Sequence, residues 1–98
     1  MVRKNMAITV RIPSYLAEFA KGQTALTLDT TSRNVRDLLA DLWRQYPALR
    51  DRVVDEQSEV RQHINIFVGE DAIRHASGLE TPVSQDDEIM IVPAVSGG

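Results

Sequence analysis

The sequence predicts an α+β fold in which a mixed sheet of four to five strands packs on one main helix. Three observations carry this prediction. Apolar residues alternate with a period of two at both ends of the chain, and they repeat with a period of 3.6 in between. The length of 98 residues and the apolar content of 43% suit one core. We therefore expect residues 1–98 to form a single domain.

The first two strands are predicted from alternation. Residues Ala7–Ile12 place three apolar side chains on one face and end at Pro13, and Ala25–Asp29 place two leucines on one face. A connection that includes Lys21–Gln23 separates them. The two segments are typical of an antiparallel hairpin with an open loop rather than a two-residue turn.

The main helix follows. Thr30–Ser32 supply candidate N-cap side chains, and Pro47 ends the helix because the residue before a proline disfavours helical dihedrals. The spacing i, i+3, i+4, i+7, i+8, i+11 forms one apolar stripe of Val35, Leu38, Leu39, Leu42, Trp43 and Tyr46. The segment Ala48–Gln62 is interpreted as a connection with some helical character.

The C-terminal half returns to strands. His63–Val68 alternates strongly, Gly69–Asp71 reads as a turn, and Ala72–Arg74 is expected to be a short strand. Gln85–Asp87 is turn-like, and Glu88–Pro93 is a final strand that is apolar on both faces. The resulting order favours a β-grasp sheet gripping one helix. A ferredoxin-like fold would need a second good helix.

Composition and motifs exclude several classes of function. There is no cysteine, so disulfides, thiolate metal sites and a cysteine nucleophile are excluded. The net charge of −3, with basic residues scattered, argues against a nucleic-acid partner. His63 and His75 have no further ligands at metal-site spacing, so we predict no metal site and assign no catalytic residue. The acidic stretch Asp86–Glu88 is better explained as a charged turn.

The sequence predicts neither a signal peptide nor a membrane span. No continuous apolar stretch is long enough for a signal peptide or for a membrane span of about 20 residues. We therefore expect a cytoplasmic protein without a membrane partner.

The sequence ends in Ser96-Gly97-Gly98, directly after the last strand. Glycine has no Cβ, so a tail of residues 95–98 is expected to be flexible and able to enter a narrow channel. A frayed terminus is the alternative. One helix cannot cover both faces of the last strand, so part of it is expected to dock partners, unless loops cover that face. The residues predicted to dock are Phe67, Met90, Val92, Pro93, Ala94 and Val95.

Several segments, in this order, resemble the MoaD/ThiS family of ubiquitin-like β-grasp sulfur carriers. They are Leu38-Leu39 with Tyr46-Pro47, His63–Val68, Gly78–Val83, Asp86–Ile89 and Pro93–Gly98. The resemblance covers Ala7–Gly98. Within the family, Asn65–Leu79 followed by Pro93–Val95 is most similar to the branch that supplies sulfur for cysteine synthesis, and next to the small subunit of molybdopterin synthase. Ser96 stands where that branch often has alanine, and Asp86-Asp87 replaces a more usual Asp-Gly-Asp style of turn.

The resemblance implies a carrier rather than an enzyme. An adenylating (E1-like) partner would use ATP to activate the Gly98 carboxylate, and a sulfur donor would convert it to a thiocarboxylate. Gly97 and Ser96 would give clearance in the partner's channel. The acceptor would be a PLP-dependent cysteine synthase or the large subunit of molybdopterin synthase. The protein itself would bind no cofactor.

Three other functions stay open at this point. The chain could be the small subunit of molybdopterin synthase, held stably in that complex. It could also be a ubiquitin-like modifier joined through Gly98 to lysines, or a β-grasp interaction domain with an idle terminus.

Overall fold

The computed structural model describes residues 6–94. The strands are β1 (Met6–Arg11), β2 (Ala25–Thr30), β3 (Ile64–Val68), β4 (Asp71–Ala72) and β5 (Glu88–Pro93). The α-helices are α1 (Val35–Gln45) and α2 (Pro47–Val53), and three 3₁₀ helices span Ser14–Ala20, Ile73–His75 and Gly78–Glu80. Within the described residues, no helix is long and apolar enough to cross a membrane.

The five strands form one mixed sheet in the order β2-β1-β5-β3-β4. Strand β1 pairs antiparallel with β2 and parallel with β5, while β3 pairs antiparallel with both β5 and β4. The predicted α+β class, the mixed sheet and the main helix are confirmed. The last strand therefore lies in the centre of the sheet, between the first strand and the third.

The predicted β1–β2 hairpin is correct, but its connection contains the 3₁₀ helix Ser14–Ala20. Leu16 and Ala20 are buried in the core, and Lys21 ends the helix in the left-handed region at φ 57°. Leu16 and Ala20 are the only two residues of this helix that are buried. That is too few for a helical period to stand out.

The predicted N-cap of α1 is wrong. Asn34 caps the helix, because its Oδ1 accepts the Asp37 N–H at 2.9 Å. The hydroxyl groups of Thr30 and Ser32 instead bond the carboxylate of Asp41 in the second turn of α1, the Ser32 contact measuring 2.8 Å. Both residues are nearly buried. They tie the end of β2 to α1 rather than starting the helix.

Two further boundaries differ from the predictions. Pro47 ends α1 as expected but also begins α2 at its first turn, where a missing N–H costs nothing. The strand predicted over Ala72–Arg74 extends only to Ala72 in β4, and Ile73 turns into a 3₁₀ helix. Ile73 is buried there, so packing rather than strand pairing fixes this segment.

One face of the sheet carries the core and the other faces solvent. Ile8 and Val10 of β1 and Ile89 and Ile91 of β5 are buried in the same cluster as the apolar stripes of α1 and α2. Burial alternates along β2 and β5, so every second side chain of these strands points away from the helices. We call this uncovered side the open face.

Candidate functional site

The predicted carrier residues, Gly98 with Gly97, Ser96 and Val95, lie outside the described residues. The structure does fix the point from which they leave. Pro93 pairs with Ile64 in the sheet, and the Ala94 N–H donates to the His63 carbonyl at 2.8 Å. The tail therefore departs from the end of the central strand.

Three of the residues predicted to dock partners lie together on the open face, and we call them the open-face patch: Phe67, Met90 and Val92. Phe67 and Met90 are direct cross-strand partners, and Val92 pairs with Asn65 one step nearer the tail. All three are half-buried. The patch is bordered by an ion pair on the same face, in which Arg11 Nε lies 2.8 Å from Glu88 Oε2.

The other predicted docking residues are placed differently. Strand alternation puts Pro93 on the opposite side from Val92, and Pro93 is exposed beyond the end of the core. Ala94 is half-buried beside His63. These two residues thus form the root of the tail rather than part of the open-face patch.

A groove of about 580 Å³ lies at the end of the sheet where the tail departs. No sequence pattern indicates this groove, because its side chains come from three separate segments. Five of the side chains that line the groove are given one name, the tail collar: Tyr15, Phe19, Arg52, Arg61 and His63. Glu18 and Asp51 also line this groove.

The histidines do not assemble a metal centre in the described part of the chain. Both His63 and His75 are exposed. Within residues 6–94, no group of three or more histidine, aspartate or glutamate side chains is close enough to hold a metal ion.

The family model for the ThiS family matches residues 10–98, which includes the last two residues of β1, every strand from β2 onward and the glycine tail. The chain belongs to the ThiS family. This places the central last strand and the tail that follows it within one family pattern.

Individual relatives agree with this assignment. The sulfur carrier protein CysO of Mycobacterium tuberculosis is 30% identical over 95 residues, covering 95% of this chain and all of CysO. The CysO structure from the Amycolatopsis orientalis BexX/CysO complex superimposes with a TM-score of 0.82 at 29% identity, covering 94% of this chain and 100% of the other. Small archaeal modifier protein 1 of Methanosarcina acetivorans is 38% identical with a TM-score of 0.75, covering 96% and 98%. The ubiquitin-like β-grasp fold expected from the resemblance is confirmed.

Proposed function

We propose that this ThiS-family protein is a sulfur carrier whose Gly98 carboxylate is converted to a thiocarboxylate. The observation that carries the proposal is the Gly-Gly tail continuing from a central strand, within a family match that runs from residue 10 to residue 98. The CysO relatives, which are named sulfur carriers, support this role. The protein supplies a reacting group and a docking surface, and a partner supplies the catalysis.

The tail requires activation before it can accept sulfur. A terminal carboxyl has an ordinary pKa of about 3.5, so at neutral pH it is an anion and a poor electrophile. An adenylating enzyme would join a carboxylate oxygen of Gly98 to the α-phosphorus of ATP and release pyrophosphate. Hydrosulfide would then attack the acyl carbon and expel AMP, leaving a C-terminal thiocarboxylate. Both steps balance with ATP and hydrosulfide as the only co-reactants.

Cysteine synthesis is the acceptor pathway that we favour. Similarity to CysO along nearly the whole chain supports this choice. In the acceptor, the anchored thiocarboxylate would act as a soft nucleophile at high effective concentration, since docking makes the transfer effectively unimolecular. The sequence has no cysteine, so no thiolate of the chain itself can attack the acyl adenylate, expel AMP and divert the tail into a thioester.

Protein modification is the second candidate function. The observation that favours it is the 38% identity with a small archaeal modifier protein over nearly the whole of both chains. In that case Gly98 would form amide bonds with lysines of other proteins. Denaturing gels would then show higher-mass conjugates that disappear when Gly98 is deleted.

Sulfur loading can be measured directly. The purified protein is incubated with the adenylating enzyme of the same organism, ATP and sulfide, and its intact mass is recorded. We expect an increase equal to the exchange of one oxygen for sulfur, dependent on ATP. A variant lacking Gly98 is the control. An unchanged mass in the full chain, or the same gain after the deletion, would contradict the proposal.

The open-face patch is expected to dock the adenylating enzyme. Met90→Glu should raise the concentration of carrier that gives half-maximal adenylation by roughly 10- to 100-fold, because burying a methionine side chain contributes about 1.5–3 kcal/mol. The maximal rate should change little. Thr27→Glu is the matched control, since it places the same charge on the open face at the β2 edge, away from the patch. Equal effects of the two substitutions would argue against a local docking role.

A further inference from the structure

We propose that the tail collar is a second docking surface, which receives the rim of the partner's tail-binding channel, and that this rim carries carboxylates. The inference rests on the proposed function and adds to it the location and chemistry of a contact outside the open-face patch.

The sheet topology places the collar around the exit of the tail. Strand β5 lies between β1 and β3, so its end is flanked by the segment that follows β1 and the segment that precedes β3. The first contributes Tyr15 and Phe19, and the second contributes Arg61 and His63. The His63 carbonyl holds the Ala94 N–H, so the collar directly adjoins the tail root.

The length of the tail requires a partner to approach this surface. Four extended residues reach about 13 Å at roughly 3.3 Å each, which limits how far Gly98 extends from Ala94. A channel that encloses the tail must therefore open close to Ala94. The rim of this channel will therefore contact the residues around Ala94. On the helix side of the sheet, these residues are the tail collar.

The collar has the composition of an interface. Among the residues that the structure describes, Tyr15 is the only large hydrophobic side chain classed as exposed, at 52%. The guanidinium of Arg52 lies 4.4 Å from the centroid of the Phe19 ring. Arg61 Nε donates to the Asp51 carbonyl at 2.8 Å. Tyrosine and arginine are enriched where interfaces bind tightly, and both arginines here are already held in position.

The charges of the groove indicate an acidic occupant. Within the described residues, neither Arg52 nor Arg61 forms an ion pair with a carboxylate, and Asp51 is paired with Arg50 instead. Glu18 is the other acidic side chain of the groove, so the three guanidinium groups of Arg50, Arg52 and Arg61 face only two carboxylates. Carboxylates on the partner's rim would neutralise the excess positive charge of the groove. This positive charge is local, since the chain as a whole has a net charge of −3.

Steady-state adenylation by the enzyme of the same organism tests the collar, with pyrophosphate release as the readout. Arg52→Glu and Tyr15→Ala should each raise the half-saturating carrier concentration about tenfold, the scale of losing one well-placed interface contact, with the maximal rate within about twofold of wild type. Arg52→Lys should restore most of the affinity. Arg74→Glu is the matched control, because it reverses the charge of an exposed arginine in the Ile73–His75 helix, outside the collar.

Salt dependence separates a direct charge contact from a structural effect. Added salt should weaken the wild-type interaction, and Arg52→Glu should flatten this dependence, since screening acts on the charges that attract. Thermal unfolding midpoints identify any variant that has lost its fold. Tyr15 and Arg52 are both exposed, so we expect their variants to unfold close to the wild-type temperature.

The outcomes distinguish this inference from the proposed function. If collar variants bind like wild type while deletion of Gly98 abolishes pyrophosphate release, the collar inference is wrong and the carrier function stands. If deletion of Gly98 leaves the reaction unchanged, the carrier function itself is wrong. Equal losses with Arg52→Glu and Arg74→Glu would show a general charge effect and overturn the collar.

Discussion

Replacing Gly97 with valine is expected to reduce sulfur loading of Gly98 by at least roughly 100-fold, the scale of a misplacement of about 1 Å at a reacting centre. In the proposed adenylation, the penultimate residue would pass through the partner's channel with the backbone extended and close to the channel walls. Glycine offers no Cβ at that position, whereas valine adds a β-branched side chain that also restricts χ1. The carboxylate would then stop short of the α-phosphorus of ATP.

Intact-mass measurement of thiocarboxylate formation over time gives the rate, and Ser96→Ala is the control. Serine and alanine are both small enough to pass through the channel. Ser96→Ala should therefore leave the rate of sulfur loading within about twofold of wild type. We expect the unfolding midpoints of all three proteins to match, and this measurement separates a loading defect from a loss of fold. Normal loading by the valine variant would show that the channel does not require a bare backbone at Gly97.

The elements with long, regular patterns could be predicted from the sequence, and the short ones could not. The apolar stripe of α1 predicts the helix to within a residue of its observed end at Gln45. Local patterns do not identify the N-cap, because Thr30 and Ser32 have suitable side chains but bond Asp41, which is eleven and nine positions away. The expected strand over Ala72–Arg74 runs past the end of β4 at Ala72, because Ile73 has a side chain typical of a strand but is buried in a 3₁₀ helix.

The candidate site likewise has one part that the sequence predicts and another that depends on long-range strand pairing. Alternation in the last strand indicates that Met90 and Val92 share a face, and it predicts surplus apolar surface on that strand. The pairing of Met90 with Phe67 depends on the register between β3 and β5, which no local pattern specifies. The tail collar requires in addition that β5 be central, because only then do Tyr15 and His63 flank one strand end. Long-range topology therefore determines the part of the site that sequence reasoning missed.

Replacing Leu42 with alanine is expected to lower the free energy of unfolding by about 2–5 kcal/mol, because a fully buried leucine loses its apolar contacts and leaves a cavity. In a domain of this size each kcal/mol shifts the thermal midpoint by roughly 4–8 °C. Urea titration followed by circular dichroism measures the change. The α1 stripe that contains Leu42 belongs to the same core cluster as the sheet, so the loss should lower the stability of the whole domain.

Leu79→Ala is the matched control for this substitution. Leu79 is only partly buried against the same core, so removal of the same atoms should cost less than about 1.5 kcal/mol. Neither leucine belongs to the open-face patch or the tail collar. At temperatures where both variants are folded, each should therefore load sulfur at the wild-type rate. A loading defect in folded Leu42→Ala would mean that α1 packing also sets the geometry of the open face, whereas equal destabilisation by both substitutions would contradict the burial difference.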